Sequence, residues 1–140
     1  MLSIIHFFAV ALFVMTCSAA ALADAPGSID GATTVDAKGV INLVETVKDL
    51  VVLDNRHEPD YAAGHIEGAV RLLDTDIADE SVLAKVIPTK TTPVLFYCNG
   101  LKCGRAANAA TKAVGWGYKT VYYYALGMTE WKEQGLPLSK

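Results

Sequence analysis

Four short runs at residues 50–53, 69–72, 93–97 and 120–124 are dominated by apolar residues, and none alternates with polar residues at period two. A strand with one face in water alternates, whereas a strand covered on both faces does not, so runs of this kind belong in the middle layer of a three-layer fold. Helical patterns lie between them. Val40, Ile41, Leu43, Val44 and Val47 recur at helix spacing behind a candidate N-cap, Asp36, and residues 58–63 place Pro59 in a first helical turn. Residues 76–87 predict a helix stopped by Pro88. The Ala-rich stretch 105–114 predicts another, ended by Gly115 and Gly117, and 129–134 a last short one. Strands interleaved with helices give an α/β class: a parallel sheet with helices on both faces.

The chain has 140 residues, enough for one domain and a short leader. Its 12 Lys and Arg against 15 Asp and Glu give a formal charge of -3, with no run of like charges, so nothing marks it as a binder of nucleic acid or membrane surface. Residues 1–23 contain no Asp, Glu, Lys or Arg and end in Ala21-Leu22-Ala23, the small-x-small pattern of signal cleavage. We read 1–23 as a signal peptide, 24–34 as a flexible lead-in and 35–140 as the folded domain. The protein is then exported, to the periplasm if its source is a Gram-negative bacterium, and has no membrane contact after cleavage. The alternative is an N-terminal membrane anchor, since the apolar stretch approaches the length of a spanning helix.

Without the leader two cysteines remain, Cys98 and Cys103, and in an oxidising compartment such a pair can be a structural disulfide. Position argues for more. The run 93–97 delivers Cys98 to the carboxyl end of a strand and a helix follows the loop, which is where open parallel sheets bind ligands. The loop is Cys98-Asn99-Gly100-Leu101-Lys102-Cys103-Gly104-Arg105, and its amides can face inward as a nest. Gly100 and Gly104 would let it curl, and Lys102 and Arg105 could hold an anion or favour the thiolate. Such a thiolate suits three chemistries: accepting a sulfane sulfur, attacking a phosphorus or arsenic oxyanion as a phosphatase or arsenate reductase would, or cycling with Cys103 as a thiol-disulfide oxidoreductase or redox sensor.

Three segments resemble those of single-domain rhodaneses, in order and from about residue 35 to 138. They are residues 51–69, including Asp54, Arg56 and Gly64-His65-Ile66-Glu67-Gly68-Ala69; the strand, Cys98 and Arg105-Ala106-Ala107; and residues 127–137 around Trp131. The resemblance implies a rhodanese-like fold and a sulfurtransferase in which Cys98 carries a persulfide, with the loop residues Asn99 to Arg105 around the substrate. It implies a small sulfur-containing donor such as thiosulfate or polysulfide, a thiophilic acceptor that could be a protein thiol, and no metal or organic cofactor. His6, His57 and His65 show no ligand spacing with the cysteines.

Two features depart from the family pattern. Arg105 stands seven positions after Cys98, later than usual, and Cys103 lies inside the loop, where it is a candidate resolving thiol for a persulfide. Asp54, Arg56 and His65 are expected to give structural support, the first two as a surface or hinge ion pair and the His by satisfying backbone groups in a turn. Of Tyr122, Tyr123 and Tyr124, one ring is expected inside and two near the rims, with Trp131 packing the last helix on the sheet.

Overall fold

The computed structural model describes residues 24–140; the expected signal peptide at 1–23 lies outside them. Five parallel strands, β1 (Thr33–Thr34), β2 (Val51–Asp54), β3 (Val70–Arg71), β4 (Val94–Tyr97) and β5 (Val121–Tyr124), form one sheet in the order β1-β5-β4-β2-β3. The helices are α1 (Ala37–Thr46), α2 (Glu58–Ala63), α3 (Glu80–Ala84), α4 (Arg105–Gly115) and α5 (Gly127–Glu133). The expected α/β class holds.

β4 is the central strand and all four of its residues are buried. Side chains alternate along a strand, so Val94, Phe96 and then Cys98 join the core layer of α3 and α4, while Leu95 and Tyr97 join the layer of α1 and α5. On α4 the buried positions are Ala106, Ala107, Ala109, Ala110 and Ala113. With so little side chain between them, the helix axis can approach the sheet closely, fixing where α4 begins relative to the end of β4. Asp36 caps α1 as expected, its Oδ1 accepting from the Gly39 N–H at 2.8 Å.

Four features differ from the sequence reading. β1 is formed by two exposed threonines, which carry no apolar signal and pair because β5 offers an open edge. The lead-in expected to be flexible is tied down: the Ala25 N–H donates to the Leu101 carbonyl at 2.6 Å, and the Tyr123 hydroxyl donates to the Pro26 carbonyl at 2.9 Å. The helix expected over 76–87 is split. A 3₁₀ turn spans Asp74–Asp76, and α3 starts only after Asp79, whose Oδ1 accepts from the Ser81 N–H at 2.8 Å. Lys112 of α4 donates to the Asp74 and Ile77 carbonyls, both at 2.8 Å, drawing those groups out of a helical ladder. Finally, Tyr123 and Tyr124 are both buried, on opposite faces of the sheet, and only Tyr122 is partly exposed; a strand covered on both sides has two insides.

Candidate active site

The Cys98 backbone is fixed before its side chain does anything. Its carbonyl accepts from the Met128 N–H at 3.0 Å, and the Asn99 carbonyl accepts from both the N–H and the hydroxyl of Thr129, each at 2.8 Å. The first turn of α5 thus clamps the exit of β4. Gly127 makes the clamp possible: its φ is +54°, and a Cβ there would run into the Cys98 carbonyl.

The loop then closes on itself. Cys103 donates its N–H to the Gly100 carbonyl at 2.9 Å, and the sulfurs of Cys98 and Cys103 are joined in a disulfide whose Cα atoms are 6.3 Å apart. In this state Cys98 is 2% exposed and has no thiol to offer, so nucleophilic chemistry at Cys98 begins with two-electron reduction. Arg105 is the first residue of α4 and links Cys103 to His57: Nη1 donates to Cys103 Sγ at 3.3 Å, and Nη2 donates to His57 Nε2 at 2.7 Å. A guanidinium cannot accept, so in this contact His57 Nε2 is the acceptor. After reduction the same cation would favour thiolate over thiol beside it.

The other loop residues take unequal roles. Gly100 is buried, and a Cβ on it would lie 3.0 Å from Thr129 Oγ1 and 3.2 Å from the Leu126 carbonyl. Gly104 has ordinary helical φ and ψ with nothing near its would-be Cβ, so curling of the loop needs only the first of the two glycines. Lys102 does not turn toward the sulfurs; its Nζ pairs with Asp24 at 2.6 Å on the outer face of the loop. Asn99 Nδ2 donates to Asp60 Oδ2 at 3.2 Å, a second link between the loop and α2. Leu101 is exposed at the tip, between two shallow grooves it shares with Leu126. The N–H groups of Gly100, Leu101 and Lys102 take no acceptor among the described residues, which leaves them to an anion or to water.

Behind the loop stands a second polar cluster. Asp54 and Arg56 pair at 2.6 Å with both side chains wholly buried, so the pair expected at the surface or a hinge lies in the interior. Tyr97 donates to Asp54 Oδ2 at 2.6 Å and accepts from the Ile66 N–H at 3.2 Å, and Arg56 Nη2 donates to the Gly64 carbonyl at 2.8 Å. Burial, followed by the charge of Asp54, pushes the Tyr97 hydroxyl far above its ordinary range, so it stays a donor. Burial alone would lower the Arg56 pKa, but the hydrogen bonds and charge of Asp54 outweigh it and raise it. His65 stacks on Tyr61 at 3.9 Å between centroids, and its Nδ1 lies 3.0 Å from the Tyr61 carbonyl, in keeping with a ring that satisfies a turn.

Sequence reasoning did not assign His57 or Tyr97 to the site. A signal existed for His57, which lies three residues past the end of β2 and therefore at the sheet end where ligands bind. None existed for Tyr97, whose partner is set by strand register. Among the described residues no group of three or more His, Cys, Asp or Glu is placed to hold a metal ion, and no helix is long and apolar enough to cross a membrane.

Comparison with known proteins agrees with this layout. The chain is 31% identical over 112 residues to the uncharacterised protein YibN of Escherichia coli K12, covering 79% of this chain and 76% of that one. It is also 31% identical over 122 residues to the HTH-type transcriptional regulator Rv0324 of Mycobacterium tuberculosis, covering 87% of this chain and 50% of the regulator. Among solved structures, the polysulfide-sulfur transferase homodimer of Wolinella succinogenes is similar with a TM-score of 0.63 and 26% identity, over 78% of this chain and 79% of that one. The human single-domain sulfurtransferase TSTD1 shares the fold at a TM-score of 0.60 and 22% identity, over 74% and 97%. The model of the rhodanese-like domain matches residues 36–134, taking in β2, the Cys98 loop and α5, and the chain belongs to that family.

Proposed function

We propose that the protein is a sulfurtransferase that carries sulfane sulfur as a persulfide on Cys98. The observation that supports this best is the placement of Cys98: at the end of the central strand, followed by a loop with uncommitted amides and by Arg105 at the start of α4. Once reduced, the Cys98 thiolate attacks the outer sulfur of a donor such as thiosulfate. The donor's S–S bond breaks and sulfite leaves with the electron pair. A thiophilic acceptor then takes the terminal sulfur and Cys98 leaves as thiolate. The amides and Arg105 are suited to the negative charge of the donor and of the persulfide. The Wolinella neighbour, named for polysulfide-sulfur transfer, makes polysulfide a second donor to try. Export through residues 1–23, to the periplasm in a Gram-negative source, belongs to the same reading and rests on their uncharged apolar sequence; an N-terminal anchor is the alternative.

The test is intact-mass spectrometry of reduced, desalted protein given thiosulfate. The wild type should release sulfite, and Cys98→Ser should neither gain sulfur nor release sulfite. Thiocyanate should form when cyanide is added to Cys103→Ser, which keeps Cys98, and not when it is added to Cys98→Ser. A reduced wild-type protein that neither releases sulfite from thiosulfate nor gains sulfur from polysulfide defeats the reading.

The disulfide favours a second reading, a thiol-disulfide oxidoreductase using Cys98 and Cys103. The two separate cleanly at Cys103→Ser, which ends disulfide exchange with a protein substrate but leaves sulfur transfer to cyanide in place, because transfer needs one thiol.

A further inference from the structure

A persulfide on Cys98 would not be alone in its loop. The disulfide places Cys103 Sγ within bonding reach of Cys98 Sγ at a Cα separation of 6.3 Å, inside the ordinary span of about 4.4 to 6.8 Å for such bonds, so neither strand nor helix has to move. The two cysteines are also unlike. Cys98 is buried at the end of β4 with its carbonyl held by Met128, whereas Cys103 is half-buried on the turn closed onto Gly100. The cation of the site rests on the second sulfur: Arg105 Nη1 donates to Cys103 Sγ at 3.3 Å. A positive charge there favours the Cys103 thiolate, the form that attacks.

We infer that Cys103 is a resolving thiol that discharges the Cys98 persulfide as hydrogen sulfide, making the protein a dithiol-dependent, sulfide-releasing enzyme; this rests on the persulfide reading above. Cys103 thiolate attacks Cys98 Sγ. The bond between the two protein sulfurs forms, the bond from Cys98 Sγ to the terminal sulfur breaks, and that sulfur leaves with the electron pair and takes a proton from solvent as HS⁻. The sulfane sulfur is reduced and the two protein thiols are oxidised by two electrons, ending in the disulfide present in the structure. An external dithiol, small or carried by a protein, returns the two electrons and frees both thiols for the next cycle. The disulfide is on this view a product state of turnover, and the long spacing from Cys98 to Arg105 makes room for a second sulfur in reach of the first. Attack from within one short loop competes well against any acceptor that must diffuse in.

The test is a single turnover without reductant. Reduced, desalted wild type given one equivalent of thiosulfate should release one sulfite and one sulfide per chain and end two hydrogens lighter, with no sulfur retained. Cys103→Ser should release sulfite but no sulfide and end one sulfur atom heavier, its persulfide outlasting that of the wild type by on the order of a hundredfold. Cys103→Ala repeats the test with a smaller side chain, and circular dichroism of both variants reports their fold. With excess dithiothreitol and thiosulfate, wild type should release sulfide over many turnovers. The inference is overturned if wild type keeps the sulfur on Cys98 as long as the variants do and releases no sulfide. If no protein releases sulfite from thiosulfate or takes sulfur from polysulfide, the persulfide reading itself has failed, and that outcome is distinct.

Discussion

Two polar clusters stand side by side at the carboxyl ends of β2 and β4, and they are built on opposite terms. The cluster of Asp54, Arg56 and Tyr97 is closed to bulk solvent, with every side chain inaccessible, and it ties the ends of β2 and β4 to the Gly64 carbonyl and the Ile66 amide. The cluster of Cys98, Cys103, Arg105 and His57 is half open, held by one covalent bond that a reductant can break and by two contacts of one guanidinium. Tyr97 and Cys98 are chain neighbours, and the alternation of a strand sends one into each cluster, on opposite faces of the sheet. The fixed cluster supports the adjustable one. Arg56 holds the carbonyl of Gly64, the C-cap of α2, while His57, the N-cap of the same helix, receives Arg105. A site whose bonds would change in the proposed turnover is thus mounted on a post whose bonds would not.

Breaking the post should have the largest effect. Asp54→Asn keeps the shape of the side chain but leaves the Arg56 charge buried without its counter-ion, and loss of one partner of a buried pair costs about 3 to 5 kcal/mol. Urea unfolding should show a lower midpoint at unchanged slope, the drop being that free energy divided by the slope. A shift below about 1 kcal/mol would mean that Arg56 finds other partners and that the two clusters are less different than their burial suggests.

The unequal terms also explain what could be read from the sequence. The sheet and its flanking helices were legible because continuous apolar runs and capping residues are local signals; α2 over Glu58–Ala63 follows from Pro59 in its first turn. Cys98 was legible for the same reason, since a strand, a cysteine and a helix follow one another along the chain. The burial of Asp54 and Arg56 was not legible, because two charges at a strand end read as surface until Tyr97 is placed beside them by the pairing of Asp54 with Tyr97 across β2 and β4. Nor were the partners of Arg105 and Lys102. His57 comes from 48 residues away and Asp24 from 78, and no periodicity in the chain reports contacts of that span. β1 was missed because two threonines form a strand only where a neighbour supplies the edge.

A change in the adjustable cluster should act on turnover more than on stability. His57→Ala removes the acceptor for Arg105 Nη2 on an exposed surface, so the melting temperature should move little. The guanidinium then loses one of its two anchors and spreads over more positions around the sulfurs. An exposed charge-assisted contact of this kind contributes on the order of 1 kcal/mol, so kcat/KM for thiosulfate should fall several-fold and no more than about tenfold. His57→Gln, which can still accept from Arg105, should recover much of the loss. Failure of glutamine to rescue would show that His57 does something other than position the arginine.

The smallest effect is expected at Lys102, and it separates charge in general from charge in place. Lys102 belongs to the loop in sequence, yet its Nζ is committed to Asp24 and its side chain is 87% exposed on the far side from the sulfurs. Exposed pairs of this kind contribute little to stability and are screened at moderate salt. Lys102→Ala should therefore leave the unfolding midpoint and the single-turnover rate with thiosulfate within error of the wild type at physiological ionic strength. A modest slowing of thiosulfate capture at low salt alone would mean that Lys102 steers the anion toward the loop without holding it. A loss as large as that of His57→Ala at physiological salt would place Lys102 at the sulfurs during turnover, and would require the tie between the loop and residue 24 to open in each cycle.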